Sequence, residues 1–197
     1  MPRTRDELSA GEWAVLALLS EQPAHGFALA RAMAPDGEVG QVWAMRRPLV
    51  YRALDTLEQR ELIRPAGTVP SRSGPQRSIR EVTPSGARAV TDWLNEPVSH
   101  VRDARSLLML KLLFINRRQG DLTPLLHAQR EQLSAQADRL AAAVDESEGF
   151  DSTLLLWRFY STTAAIQFTE TMLGDRTAPR PGPRRGRPRR TTRSDRP

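Results

Sequence analysis

The sequence predicts a mainly α-helical protein with one small β-hairpin, organised in two halves of different character. Three observations predict it. Apolar residues recur at helical spacing through most of the chain. One pair of β-type stretches, within residues 62–83, is separated by the turn-forming run Pro70-Ser71-Arg72-Ser73-Gly74-Pro75. Beyond Pro97 strand signals stop and three long helical stretches follow.

The first helix starts at Leu8-Ser9-Ala10-Gly11-Glu12-Trp13. Ser9 can cap it, Glu12 can reach back to complete a capping box, and Leu8 against Trp13 makes a hydrophobic staple. It runs to about Ser20, and Pro23 stops it. A second short helix, about His25 to Met33, is expected to bury Phe27, Leu29 and Met33 before Pro35-Asp36-Gly37 ends it. His25 beside Gly26 reads as a cap rather than a metal ligand. The third helix begins near Pro48, a good first-turn residue. Val50, Leu54 and Leu57 form its buried stripe, with Tyr51, Arg52 and Asp55 opposite. Leu62-Ile63 opens the hairpin and Ser78 to Val82 returns it. Thr83-Pro84 caps a fourth helix whose Ala87, Val90, Trp93 and Leu94 face inward, and Asn95-Glu96-Pro97 closes the unit.

The second half carries helices over about 101–117, 121–146 and 151–173. Leu107 to Ile115 is apolar nearly all round apart from Lys111, so more than one side must be buried, which three helices of one chain are expected to cover only in part. Leu126, Leu133 and Leu140 stand seven apart, a seam suited to a facing helix. A homodimer through this half is the expectation.

Charge is unevenly placed. The chain of 197 residues carries +6, but nine Arg against two Asp after Leu173 account for +7, leaving −1 on the rest. That Arg, Pro and Gly-rich tail has no large apolar residue to bury and is expected to be disordered. It reads either as an arm that attracts phosphates without sequence preference or as a solvated tail with no specific role. Cysteine is absent, which excludes disulfides, Cys-ligated zinc, iron–sulfur clusters and thiol catalysis. Met1 to Glu7 leads into no apolar stretch, so no secretory signal is expected. The longest apolar run is far short of the roughly 20 residues that span a bilayer. A cytoplasmic location and no membrane contact are expected.

Helix, helix, helix, hairpin, helix within about 90 residues is the winged helix-turn-helix layout, in which the third helix enters the major groove of DNA. Its donors would be Arg46, Arg47, Tyr51 and Arg52. The hairpin, or wing, adds Arg64, Arg72, Arg77 and Arg80 against only Glu81. The candidate DNA-binding residues are therefore Arg46, Arg47, Tyr51, Arg52, Arg72, Arg77 and Arg80. The expected divisions are residues 1–97 for DNA binding, 98–173 for helical dimerisation and effector response, and 174–197 for the tail.

His25-Gly26-Phe27-Ala28-Leu29, then Val50 through Glu58 (VYRALDTLE) with Leu62-Ile63, then Val82-Thr83-Pro84-Ser85-Gly86, resemble the PadR family of transcriptional regulators. Lys111-Leu112-Leu113-Phe114 resembles that family's C-terminal dimerisation region of the virulence-activator type. The resemblance covers residues 8–173. It implies a dimeric repressor, commonly controlling a neighbouring gene and released by a small aromatic or drug-like effector. The family's tyrosine and basic recognition-helix positions match Tyr51, Arg47 and Arg52. Three positions depart from its pattern. Arg47 stands where serine often precedes the proline, at the loss of a cap worth about 1 kcal/mol. Glu61 stands where glycine is frequent, and Ser78-Ile79-Arg80 replaces the wing aromatics.

Flat aromatic side chains suit planar ligands. Trp43, Phe114, Trp157 and Tyr160 are accordingly candidates for an effector cleft between the halves or at the dimer interface, the alternative for Trp157 being bundle core. Trp13 and Trp93 read as winged-helix core. No enzyme is expected. His25, His100 and His127 show no metal-ligand spacing, and no phosphate-binding glycine loop, nucleophile elbow or paired-carboxylate pattern is present. No cofactor or metal is expected. The partners expected are double-stranded DNA carrying a pseudo-palindromic operator, a second copy of the chain and a small effector. The rival reading is a small-molecule-binding or protein-interaction module that keeps a winged-helix scaffold without specific DNA binding.

Overall fold

The computed structural model describes residues 8–69 and 77–174. Arg72, the wing tip and the Arg-rich tail lie outside the described residues. The elements run α1 (Ala10–Glu21), β1 (Ala24–His25), α2 (Gly26–Ala32), α3 (Arg47–Gln59), β2 (Ile63–Val69), β3 (Arg77–Val82) and α4 (Pro84–Asn95). The second half adds α5 (Val101–Asp103), a π-helical turn (Ala104–Leu108), α6 (Met109–Arg117), α7 (Thr123–Asp145) and α8 (Gly149–Met172).

Local chemistry sets the boundaries of the first half. The Ser9 side chain accepts from the Glu12 N–H at 3.2 Å while Glu12 reaches back to the Ser9 N–H, the reciprocal box that the sequence spells. His25 Nδ1 accepts from the Ala28 N–H at 3.0 Å and so caps α2. Thr83 does the same for α4 through the Gly86 N–H. Helix α3 ends in two bonds, Leu62 N–H to Leu57 O and Glu61 N–H to Glu58 O, both 3.0 Å. This Schellman arrangement requires a left-handed residue between them. That residue is Glu61, at φ 56°. The sequence departure at Glu61 is thus a strained one, since glycine holds this conformation without the Cβ clash.

The sheet has three strands in the order β1-β3-β2, all antiparallel. The sequence shows only the hairpin. Strand β1 is two residues long, too short for any alternation, and exists because Ala24 and His25 find Arg80 and Ile79 across β3. Strand β2 lies at the edge, and its register shifts between Pro65 and Gly67. A proline, which has no N–H to donate, is tolerated at such an edge bulge.

Val50, Leu54 and Leu57 of α3 are buried against α1, as their spacing predicts. Two expectations change. Phe27 is not buried; it is 46% exposed and lies beside α3. Leu29 and Met33, four residues apart, share the buried face, with Ala30 and Ala32 packed beside them, whereas Phe27 stands two residues from Leu29 and so on the other side of the helix.

The second correction concerns α6. Leu108, Leu110, Leu112, Phe114 and Ile115 join the same core as α1 and α4, so the chain's own first half covers the apolar helix that seemed to need a partner. The composition break at Pro97 is therefore not a break in packing. The linker after α4 is also tied down. The side-chain amide of Gln129, fully buried on α7, accepts from the Val98 N–H at 2.7 Å and donates to the Val98 carbonyl at 3.1 Å.

Of the α7 seam, Leu126 and Leu133 are buried and Leu140 is half-buried. Helix α8 lies along α7 and turns a second apolar row outward: Phe150, Trp157, Tyr160, Phe168 and Met172. No helix among the described residues is long and apolar enough to cross a membrane.

Candidate nucleic-acid interface

Three of the sequence-selected cations meet at the start of α3. The buried stripe fixes the helix rotation, which leaves Tyr51, Arg52 and Asp55 exposed on the other side. Arg46 is the N-cap, with extended backbone (φ −69°, ψ 145°) and no side-chain cap bond. The helix therefore starts one residue earlier than the proline suggests. Arg47 is its first helical residue, and the uncapped position is Arg46 rather than Arg47.

Two arginines at a helix N-terminus oppose the macrodipole, where acids are favoured by about 0.3–1 kcal/mol. An arrangement that sacrifices stability locally marks a place where function sets the residue. The positive end of the α3 dipole and the arginines at positions 46 and 47 put positive charge at the same end of the helix, the chemistry that receives a phosphate.

Arg47 is not a loose side chain. Its guanidinium carbon lies 5.5 Å from the Phe27 ring centre and 5.6 Å from that of Tyr51, a cation held between two aromatic faces. This explains Phe27's exposure: its ring serves as a platform for Arg47. Gly26 makes the arrangement possible, because a Cβ there would come within 2.8 Å of a Tyr51 ring carbon. Phe27 is thus a residue of this surface that its apolar character alone assigned to the core. The His25-Gly26-Phe27 run ahead of a Tyr-Arg pair was the available signal.

The wing is less free than its composition suggests. Arg64 pairs with Glu81 at 2.7 Å, as cross-strand partners. Arg80 pairs with Glu58 at 3.1 Å and keeps only 21% of its side chain exposed. Arg80, a candidate DNA contact, is thus ion-paired within the fold. Glu58, on the last turn of α3, engages its guanidinium, so Arg80 braces α3 against β3. Arg77 opens β3, and Arg72 lies outside the described residues.

Residues 15–92, which contain all of this geometry, match the model of the transcriptional regulator PadR-like family. Over this segment the chain is similar to PadR-like regulators. A curated relative from Mycobacterium tuberculosis, the "probable transcriptional regulator Rv1176c", is 32% identical over 92 residues, 47% of each protein. The chain thus aligns with about half the length of that relative. Among solved structures, Bacillus subtilis PadR in complex with operator DNA is similar over 83% of this chain and 97% of its own, at 21% identity and a TM-score of 0.42. The same regulator in complex with p-coumaric acid is similar over 84% and 98%, at 20% identity and a TM-score of 0.40.

The four candidate effector residues are not gathered around one cavity. Phe114 is fully buried in the core shared by the first half and α6. Trp157 and Tyr160 face outward on α8, 71% and 64% exposed, so Trp157 is not bundle core either. Trp43 sits half-exposed on the turn before α3, near Gly11. The described open cavity of about 660 Å³ is lined instead by Ser20, Glu21, Gln22, Arg117 and Arg118.

Two cations lock the first half to the second. Arg117 of α6 pairs with Glu21 at 2.7 Å and also with Glu38, and the Glu21 bond raises its pKa further still. Lys111, almost wholly buried, donates to the Glu96 carbonyl at the end of α4 and stands 5.2 Å from the centre of the Trp93 ring. Trp93 in turn stacks on Trp13 at 5.0 Å, nearly parallel. Burial lowers the Lys111 pKa to about 8, partly offset by nearby Glu96. Among the described residues no group of His, Asp and Glu could hold a metal ion.

Proposed function

We propose that the chain is a homodimeric, sequence-specific DNA-binding transcriptional regulator. The observation that carries this reading is the start of α3. Arg46, Arg47, Tyr51 and Arg52 project from a helix whose opposite stripe is locked in the core, and the charges stand where they disfavour the helix. In a helix-turn-helix protein that end of the third helix meets base edges while neighbouring cations hold phosphates. The family resemblance extends the proposal to a repressor of a neighbouring gene, relieved by a small aromatic effector.

The outward row on α8 supports the dimer. Phe150, Trp157 and Tyr160 are each well over half exposed, and aromatic side chains bury about 150–250 Å² each. With Phe168 and Met172 they supply most of the roughly 800 Å² per partner that a specific interface needs. A two-fold axis through this helix would set two α3 helices against successive major grooves of a pseudo-palindrome.

The test is a gel shift with DNA from just upstream of the chain's own gene. Arg52→Ala should abolish retardation while light scattering still reports a dimer. Trp157→Glu should leave a folded monomer with weakened retardation. Unchanged retardation by Arg52→Ala removes the role assigned to α3. A Trp157→Glu protein that stays dimeric moves the interface elsewhere. Tight binding of a small molecule with no preference for any DNA would favour the rival module on the same scaffold.

A further inference from the structure

Three large apolar side chains are exposed on α2 and the first turns of α3: Phe27, Leu49 and Tyr51. Phe27 and Tyr51 are accounted for by the Arg47 guanidinium between them. Leu49 is not. It stands in the first turn of α3, 45% exposed, three residues after Arg46 and three before Arg52, so cations flank it on its own helix face. A leucine in water amid arginines gains nothing from the fold. It would gain if an apolar group arrived with the phosphates those arginines attract.

Duplex DNA presents one such group in its major groove, the C5-methyl of thymine. Thr56, two turns along the same row, turns its hydroxyl back to the Arg52 carbonyl at 3.0 Å and so adds no competing hydroxyl donor to that row. We infer that Leu49 is a specificity-determining residue that selects thymine by contact with its 5-methyl group, one per half-site. This inference rests on the proposed DNA-binding function and names what one residue of that surface reads. Arg46 and Arg52, with no ion-pair partner among the described residues, supply the sequence-independent attraction that brings the methyl to it.

Removing one methyl from an apolar contact weakens binding about fourfold, and about fifteenfold when both half-sites of a dimer lose it. The experiment first selects an operator from a DNA pool with a randomised core, using the full-length wild-type protein. Each thymine of that operator is then replaced in turn by deoxyuridine, which lacks only the methyl. Wild type should lose about fourfold at one thymine in each half-site. Leu49→Ala, a helix-compatible change at an exposed position checked by circular dichroism, should bind thymine and deoxyuridine equally there and keep its response elsewhere. If deoxyuridine is tolerated throughout, or penalised equally in wild type and Leu49→Ala, the inference is wrong while the DNA-binding reading stands. If wild type enriches no sequence at all, both fall.

Discussion

Replacing Arg46 by serine should make the protein more stable and a poorer DNA binder. The backbone at Arg46 already has the extended geometry of an N-cap, but its side chain makes no cap bond. Pro48 has no N–H, so the donor available to a serine Oγ is the Leu49 N–H, which now reaches only the Arg46 carbonyl, at 2.9 Å. A serine cap contributes about 1 kcal/mol. Removing a cation from the positive end of the helix adds about 0.3–1 kcal/mol at low salt. The sum, about 1–2 kcal/mol, corresponds to a rise in melting temperature of roughly 2–8 °C for a chain of this size. Raising the salt should screen the second contribution and leave the first. Binding should respond oppositely. Losing one phosphate contact per protomer should lower the slope of log K against log salt by about 2 for a dimer. Circular-dichroism melts at two salt concentrations and anisotropy titrations across a salt series measure both. An unchanged or lower melting temperature would refute the cap argument, and an unchanged salt slope would show that Arg46 touches no phosphate.

Glu61→Gly should stabilise the protein by about 0.5–1 kcal/mol, because glycine accepts the left-handed conformation at φ 56° without steric cost and gives back part of that in chain entropy; a raised urea midpoint with an unchanged slope is the expected result. Lys111 should make stability rise with pH. Below about pH 8 the lysine is charged in both folded and unfolded chains, and its burial is fully unfavourable. Between about 8 and its ordinary 10.5 the folded form has shed the proton and the unfolded form has not, so the unfolded chain binds more protons and stability increases. The gain from pH 7.5 to 9.5 is at most about 2 kcal/mol. Denaturation curves at those pH values should show it in wild type and not in Lys111→Met.

Much of the first half is legible in residue order because its determinants are local. Ser9 with Glu12, Thr83 ahead of Pro84, and the Val50, Leu54, Leu57 stripe each specify a cap or a face within a few residues. The stripe alone decides that Tyr51 and Arg52 point outward, so the core of the candidate interface was readable too. Phe27 escaped that logic. Its apolar ring suggests burial, but it stands two residues from Leu29, off the buried face of α2, and its partner is a cation twenty residues later.

The sequence by itself determined the helices, the hairpin, the basic start of α3 and the lack of thiol chemistry, since each follows from composition or from spacing within one element. Tertiary structure alone decided the rest. It paired a two-residue strand with β3 and engaged Arg80 through Glu58. It also chose which apolar helix is enclosed: α6 vanished into the core while α8 kept an aromatic row facing out. A helix with apolar residues on several sides records how much surface must be covered, but which neighbour covers it depends on where distant parts of the chain come to rest.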